Sequence, residues 1–142
     1  MRLVMVLFLL GTLVGLGAPE IVSAAEAPLD IAGAHTVDAE RIIALIDTTP
    51  GLVIIDSRKA EDFAAGAIEG AISLTDTEMT KDKLVKIAPN RSKPILFYCN
   101  GLKCGRAANA VIMAVKWGYK DVYYYALGMA EWQERGLPLV RH

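Results

Sequence analysis

Both cysteines of the chain fall within the stretch "ILFYCNGLKCGR", at positions 99 and 104. Such a pair can form a disulfide, contribute metal ligands, or supply a nucleophilic thiolate. In an oxidising compartment a disulfide is the ordinary interpretation of two cysteines. A zinc site is a poor fit, because only His35 and His142 are available as histidine ligands. An apolar, β-forming run leads into Cys99, and a helical segment opens near Cys104.

The loop after Cys99 has the composition of an anion-binding site. A cysteine between a strand and a helix N-terminus lies where backbone N–H groups and the helix dipole present positive charge. Such a position favours the thiolate and holds an anionic substrate. We therefore expect Cys99 to be the catalytic nucleophile. The expected substrate-binding loop comprises Asn100, Gly101, Leu102, Lys103, Cys104, Gly105 and Arg106.

Short apolar strands alternate with helices along most of the chain. The predicted strands are residues 52–56, 71–74, 94–99 and 121–126. The first predicted helix lies within residues 35–47, with Thr36 or Asp38 as its cap, and the others are residues 59–66, 76–87, 107–117 and 128–136. This alternation predicts an α/β fold with a parallel sheet covered on both faces. Ligands of such sheets bind outside the carboxyl ends of the strands, where Asp56 and Cys99 both fall.

The first residues have the layout of a secretory signal peptide. Arg2 is followed by an uncharged apolar run and then by small residues around Ala24. We expect a signal peptide at 1–24, an alanine-rich linker at 25–35 and a domain at 36–140. The expected location is periplasmic or secreted, with no membrane association after cleavage. An uncleaved anchor is the alternative, although the apolar run is short of the ~20 residues that a spanning helix needs.

The charge balance argues against a nucleic-acid partner. The chain carries 15 basic and 16 acidic residues. Removing residues 1–24 takes out one of each (15 − 1 = 14 and 16 − 1 = 15), so the net charge stays at −1. No basic stripe and no block of like charge is present.

Three stretches resemble the signatures of rhodanese-like domains. "LVIIDSRKAEDFAAGAIEGAISL" resembles the strand ending in Asp-x-Arg that is followed by Ile-x-Gly-Ala before the next strand. "ILFYCNGLKCGRAANAVIMAVKWGYKDVYYY" resembles the active-site strand, loop and helix, and "GMAEW" resembles a Gly-x-x-x-Trp near the domain's end. The resemblance covers roughly Thr36 to Leu139.

The resemblance implies a five-stranded parallel sheet flanked by helices on both faces. It also implies that the Cys99 thiolate takes a sulfane sulfur from thiosulfate or another persulfide donor. The sulfur is held as a persulfide and passed to a thiophilic small molecule or a protein thiol, without a metal or organic cofactor. Asp56 and Arg58 would stand beside this site and shape the pocket floor. Alternatively, Arg58 forms a structural ion pair with Glu61 or Asp62.

The loop departs from the family pattern of a cysteine, four residues and an arginine. Cys104 occupies the arginine position and Arg106 follows two residues later, so either Lys103 or Arg106 is expected to bind the anion. The common Gly-Gly before the last helix is Leu127-Gly128 here. We expect Cys104 to be a resolving or protective thiol.

Two other functions remain open from the sequence. One is a thiol-redox or binding module in which Cys99 and Cys104 form a disulfide and no sulfur is transferred. The other is a phosphatase-like or arsenate-reductase-like enzyme acting on a tetrahedral oxyanion.

Overall fold

A computed structural model describes residues 26–142 and shows one parallel sheet of five strands. The strands are β1 (His35–Thr36), β2 (Val53–Asp56), β3 (Ala71–Ser73), β4 (Ile95–Tyr98) and β5 (Val122–Tyr125). The helices are α1 (Ala39–Thr48), α2 (Ala60–Ala65), α3 (Lys81–Ile87), α4 (Arg106–Lys116) and α5 (Gly128–Glu134). The strand order β1-β5-β4-β2-β3 makes β4, which precedes Cys99, the central strand. The predicted signal peptide at 1–24 lies outside the described residues.

Helices cover both faces of the sheet, as the sequence predicts. On one face Phe97 of β4 packs in a cluster with Leu84 of α3 and Val111 of α4. On the other face Leu96 packs in a second cluster that includes Ile42 of α1. Successive residues of β4 therefore point into opposite cores, which is why its sequence is apolar without alternation.

Strand β1 was not predicted from the sequence. His35 and Thr36 pair with Tyr123 and Tyr124 of β5, and the Val37 N–H donates to the Tyr124 carbonyl at 3.0 Å. The prediction placed these residues in a linker and in the first helix. Two paired residues are too few to produce a recognisable strand pattern, and their position is set by the exposed edge of β5.

One of the two predicted caps of the first helix is confirmed, and the start of a second helix needs correction. The first helix begins after Asp38, whose carboxylate accepts from the Arg41 N–H at 2.8 Å, and not after Thr36. The helix predicted at 76–87 begins only at Lys81, because the Thr80 hydroxyl caps it by accepting from the Lys83 N–H. Residues 76–79 instead form turns, one of which is closed by the Met79 N–H bonded to the Thr75 carbonyl.

The segment predicted as a linker packs against the domain in its described part. Ala27, Ile31 and Ala34 lie against the core on the α4 side of the sheet. The Ala27 N–H donates to the carbonyl of Leu102 at 2.6 Å. This segment therefore contacts the loop that carries the cysteines. Within residues 26–142, no helix is both long and apolar enough to cross a membrane.

Candidate active site

Cys99 lies at the carboxyl end of the central strand, where the sequence places the site. It follows β4 directly, and a six-residue loop then leads to α4, which begins at Arg106. The Cys99 side chain is only 2% exposed and packs with Ala107 and Ala108 of α4. Cys99 is thus positioned by the central strand and by α4.

Cys99 and Cys104 are joined by a disulfide bond. Their Cα atoms are 6.2 Å apart, within the range that a disulfide spans without distortion of the backbone. A turn closed by the Cys104 N–H bonded to the Gly101 carbonyl at 3.0 Å brings the second cysteine back toward the first. Cys104 remains half-buried while Cys99 is buried, so Cys104 is the sulfur that solvent reaches.

The start of α5 holds the beginning of the loop through its carbonyl groups. The Met129 N–H donates to the Cys99 carbonyl, and the Ala130 N–H donates to the Asn100 carbonyl, both at 2.9 Å. The N–H groups of Leu102, Lys103 and Gly105 donate to no acceptor among the residues described. Loop carbonyls are therefore paired while several N–H groups stay available, which is the polarity that an anion site requires.

Gly128 permits this close approach of α5 to the loop. Its φ is +58°, in the left-handed region that favours glycine. A Cβ at this position would collide with the carbonyl oxygen of Cys99 and would lie 3.0 Å from the Gly101 nitrogen. The second glycine of the family's common Gly-Gly is thus retained at the position where the backbone contact requires it.

Two clefts of opposite charge flank the loop, and Cys104 lines both. The first, about 520 Å³, contains four basic side chains and two acidic ones, namely Arg58, Lys59, Lys103, Arg106, Glu61 and Asp62. The second, about 800 Å³, is lined by three acidic side chains, Glu26, Glu131 and Glu134, and by Lys103, which also lines the first cleft. The first cleft, which we call the basic cleft, is thus lined by more basic than acidic side chains, and the second by more acidic than basic ones.

The two candidate anion-binding cations are in different environments. The Arg106 Nη1 lies 3.3 Å from the Asp76 carboxylate, and Asn109 donates to the same carboxylate at 2.9 Å. Lys103 is exposed and forms no ion pair with any residue in the part of the chain that the structure describes. Of these two candidates, Arg106 is paired with a carboxylate and Lys103 is not, so Lys103 is the one whose charge is open to a ligand.

Asp56 and Arg58 form a buried ion pair with each other. Arg58 Nη2 is 2.7 Å from Asp56 Oδ2, and the side chains are 4% and 0% exposed. The same Nη2 donates to the Gly66 carbonyl at 2.7 Å. The alternative prediction named the correct kind of interaction but the wrong partner, because the Arg58 side chain folds back onto Asp56 and not onto Glu61 or Asp62. Arg58 nonetheless lines the basic cleft.

Tyr98 completes this network and was missed from the sequence. Its hydroxyl donates to Asp56 Oδ2 at 2.6 Å and accepts from the Ile68 N–H at 3.2 Å. Burial and the adjacent carboxylate raise the pKa of Tyr98 well above its usual value, so the phenol stays protonated. Burial alone would lower the pKa of Arg58, but hydrogen bonding and attraction to Asp56 raise it above its usual value. The network ties β2, β4 and residues 66–68 together beneath the loop.

Asp76 is a second site residue that the sequence analysis missed, and nothing in the local pattern marks it. It was assigned to a helix, whereas it lies in the turns before α3 and contacts α4 across 30 residues of sequence. Tyr98 did carry a signal. A hydroxyl in an otherwise apolar buried strand requires a hydrogen-bonding partner, and Asp56 at the end of a neighbouring strand is the available acceptor.

A protein-family model with the description "Rhodanese-like domain" matches residues 38–135. Among curated proteins, YibN of Escherichia coli (strain K12) is 32% identical over 90 residues, covering 63% of this chain and 61% of YibN. The chain thus spans about three fifths of that relative's length.

Among solved structures, the thiosulfate sulfurtransferase of Pseudomonas aeruginosa matches with a TM-score of 0.66 and 21% identity, covering 76% of this chain and 20% of that one. The polysulfide-sulfur transferase homodimer of Wolinella succinogenes matches with a TM-score of 0.61 and 23% identity, covering 78% of this chain and 81% of that one. At these identities the likeness is one of fold.

Proposed function

This chain belongs to the rhodanese-like domain family, and from that premise we propose that it is a sulfurtransferase with Cys99 as the sulfur carrier. The proposed donor is thiosulfate or another sulfane-sulfur compound. The proposed acceptor is a thiophilic small molecule or a protein thiol. The observation that carries the proposal is the position of Cys99 at the head of a loop with unpaired N–H groups, between the central strand and α4.

The reaction proceeds in two displacements on sulfur. The Cys99 thiolate attacks the outer sulfur of thiosulfate, the S–S bond of the donor breaks, and sulfite leaves with the bonding electrons. Cys99 then carries a persulfide. An acceptor such as cyanide attacks the outer sulfur, forms thiocyanate and returns the Cys99 thiolate. The covalent intermediate divides one transfer into two steps, and no electrons are gained or lost overall.

The electrostatics of the loop support an anionic donor. Thiosulfate is a dianion, and Lys103, an exposed cation in the basic cleft, lies beside the loop. The unpaired N–H groups and the positive end of α4 stabilise both the attacking thiolate and the charge that develops on the leaving sulfite. The first step requires the Cys99 thiolate, so the disulfide with Cys104 must be reduced before the reaction begins.

The test is thiocyanate formation from thiosulfate and cyanide by protein that has been reduced and then freed of reductant. Reduced wild type is expected to form thiocyanate, and Cys99→Ser is expected to form none. Cys104→Ser is the matched control, because it makes the same substitution but keeps the Cys99 thiol. Turnover by Cys99→Ser, or none by either reduced wild type or reduced Cys104→Ser with any sulfane-sulfur donor, would overturn the proposal.

A thiol-redox module is the second candidate, and the disulfide itself favours it. Such a protein would exchange electrons with other dithiols and transfer no sulfur. Thiol–disulfide exchange without uptake of sulfur from thiosulfate is the outcome that selects this function. A phosphatase-like or arsenate-reductase-like activity has no supporting observation at the site, and an aryl phosphate assay on the same reduced protein tests it.

We also propose that the protein acts in the periplasm or outside the cell after cleavage near Ala24. The support is the sequence of the first residues, in which an uncharged apolar run ends in small residues. N-terminal sequencing of the protein from the cell envelope tests this proposal. Mature material that begins at Met1 would refute it.

A further inference from the structure

We propose that Cys104 discharges the Cys99 persulfide within the loop and releases the carried sulfur as hydrosulfide. The product of this step is the Cys99–Cys104 disulfide that the structure contains. The inference rests on the proposed sulfurtransferase function and adds a second outcome to it. The carried sulfur either passes to an acceptor or leaves in reduced form.

The loop geometry makes this step intramolecular. The sulfur atoms of Cys99 and Cys104 are bonded with Cα atoms 6.2 Å apart, so the Cys104 thiolate reaches Cys99 Sγ in this backbone conformation. The Cys99 carbonyl is held by the Met129 N–H, and Cys104 is held by its own N–H bonded to Gly101. The two thiols are therefore held at a high effective concentration relative to each other.

The step balances as an ordinary thiol–disulfide exchange. The Cys104 thiolate attacks Cys99 Sγ, the bond between Sγ and the outer sulfur breaks, and hydrosulfide leaves with the bonding electrons. The two cysteines lose two electrons together, and the sulfane sulfur gains them. With thiosulfate as donor, one reduced protein with both cysteines as thiolates, one thiosulfate and one proton give one oxidised protein, one hydrosulfide and one sulfite.

The site of attack follows from the bond that the structure contains and from the leaving group. Cys99 Sγ is the atom to which Cys104 is bonded in the structure, whereas attack on the outer sulfur would only move the persulfide to Cys104. Hydrosulfide is also a less basic leaving group than a cysteine thiolate, which favours its departure. Formation of the disulfide is therefore the expected end of the step.

The exposure of Cys104 explains how the protein returns to its reduced form. Cys99 is 2% exposed in the oxidised protein, whereas Cys104 lines both clefts beside the loop. An external thiolate therefore attacks Cys104 Sγ and expels Cys99 as a thiolate, which is the form needed for the next donor. The required co-reactant is a dithiol, which resolves the mixed disulfide and supplies two electrons per cycle.

The test is a single turnover without reductant. Wild type, Cys104→Ser and Cys99→Ser are reduced, freed of reductant under anaerobic conditions and mixed with one equivalent of thiosulfate. Wild type is expected to release about one hydrosulfide per chain and to end at the mass of the disulfide form. Cys104→Ser is expected to gain the mass of one sulfur atom and to release no hydrosulfide until dithiothreitol is added. Cys99→Ser is expected to do neither.

The possible failures are distinguishable. If Cys104→Ser gains sulfur but wild type keeps its own persulfide equally long and releases no hydrosulfide, this inference is wrong and the sulfurtransferase function stands. If neither wild type nor Cys104→Ser takes up sulfur from thiosulfate or from inorganic polysulfide, both are wrong. Should Cys104→Ser misfold, the time course of wild-type mass decides, because a persulfide must appear before the disulfide and decay as hydrosulfide is released.

Discussion

Gly128→Ala should disable the active-site loop, and Gly136→Ala should not. The two glycines stand at opposite ends of α5 and have similar left-handed conformations, with φ of +58° and +63°. They differ in their surroundings. A Cβ at position 128 would collide with the Cys99 carbonyl, whereas a Cβ at position 136 would have no heavy atom within 4 Å. Comparing the two variants therefore separates the effect of the steric contact with the loop from the free-energy cost of a left-handed alanine, which both substitutions share.

The expected magnitudes follow from these contacts. An alanine in the left-handed region costs about 1–2 kcal/mol, and Gly136→Ala should lose only this amount of unfolding free energy. Gly128→Ala must also move the loop and α5 apart by about 1 Å to relieve the overlap. That movement stretches the hydrogen bonds from Met129 and Ala130 to the loop carbonyls, at about 1 kcal/mol each. The total for Gly128→Ala is about 3–4 kcal/mol.

Catalysis should be more sensitive than stability, because the displaced carbonyl belongs to Cys99, the proposed nucleophile. A misplacement of about 1 Å costs about 10²-fold in rate. We therefore expect kcat/KM for thiosulfate:cyanide transfer to fall about 10²-fold in Gly128→Ala and less than about twofold in Gly136→Ala. Urea unfolding and steady-state assays, both on reduced protein, measure the two quantities. Equal losses in the two variants would show that the contact between Gly128 and Cys99 does not position the loop.

Three further predictions concern the network, the cleft and the second thiol. Tyr98→Phe should lower the unfolding free energy in urea by about 1–3 kcal/mol, because the buried acceptor loses a donor. Because the pKa of Tyr98 is raised in the folded state, its protonated hydroxyl also stabilises the fold at pH values below the unfolded pKa of about 10. This contribution should be lost as the pH rises above about 10 in wild type and should be absent from Tyr98→Phe. Lys103→Gln should raise the KM for thiosulfate about fivefold at low salt. Arg106→Gln should raise this KM less, because Arg106 is already paired with Asp76. Equal effects on KM would contradict the assignment of Lys103 as the anion-binding cation. Cys104→Ser should lose transfer activity to peroxide faster than wild type, through over-oxidation of the catalytic thiol seen by mass spectrometry, and equal sensitivity would refute a protective role.

The sheet was predictable from sequence because its inner strands β2 and β4 are buried on both faces. Continuous apolar runs such as 52–56 and 94–99 indicate buried strands of a parallel sheet when they alternate with helices along the chain. Strand β1 was not predictable, since two residues carry no pattern and pair only because β5 offers an open edge. The start of α3 was misplaced because Asp76 and Thr80 are both acceptable capping residues, and only the fold decides between them.

The candidate site was predictable at its centre and not at its margins. Cys99 follows from the strand that precedes it and the loop that follows it. The partner of Arg58 and the role of Asp76 depend on which side chains the folded chain brings together over long separations. The disulfide stood among the alternatives, but the spacing of the cysteines alone could not place Cys104 within reach of Cys99. The turn between Gly101 and Cys104 does so.

The same disulfide bears on how the protein would work in the compartment proposed for it. In an oxidising environment the Cys99–Cys104 bond is the resting form, and it leaves Cys99 buried and unable to attack a donor. This bond also keeps Cys99 from irreversible oxidation, since a disulfide is reversible and a sulfonic acid is not. The rate of sulfur transfer would then depend on the supply of electrons from a dithiol as much as on the supply of thiosulfate. A persulfide that forms in the absence of an acceptor would return the loop to its protected form and release hydrosulfide, so the loop would limit the lifetime of its own reactive intermediate.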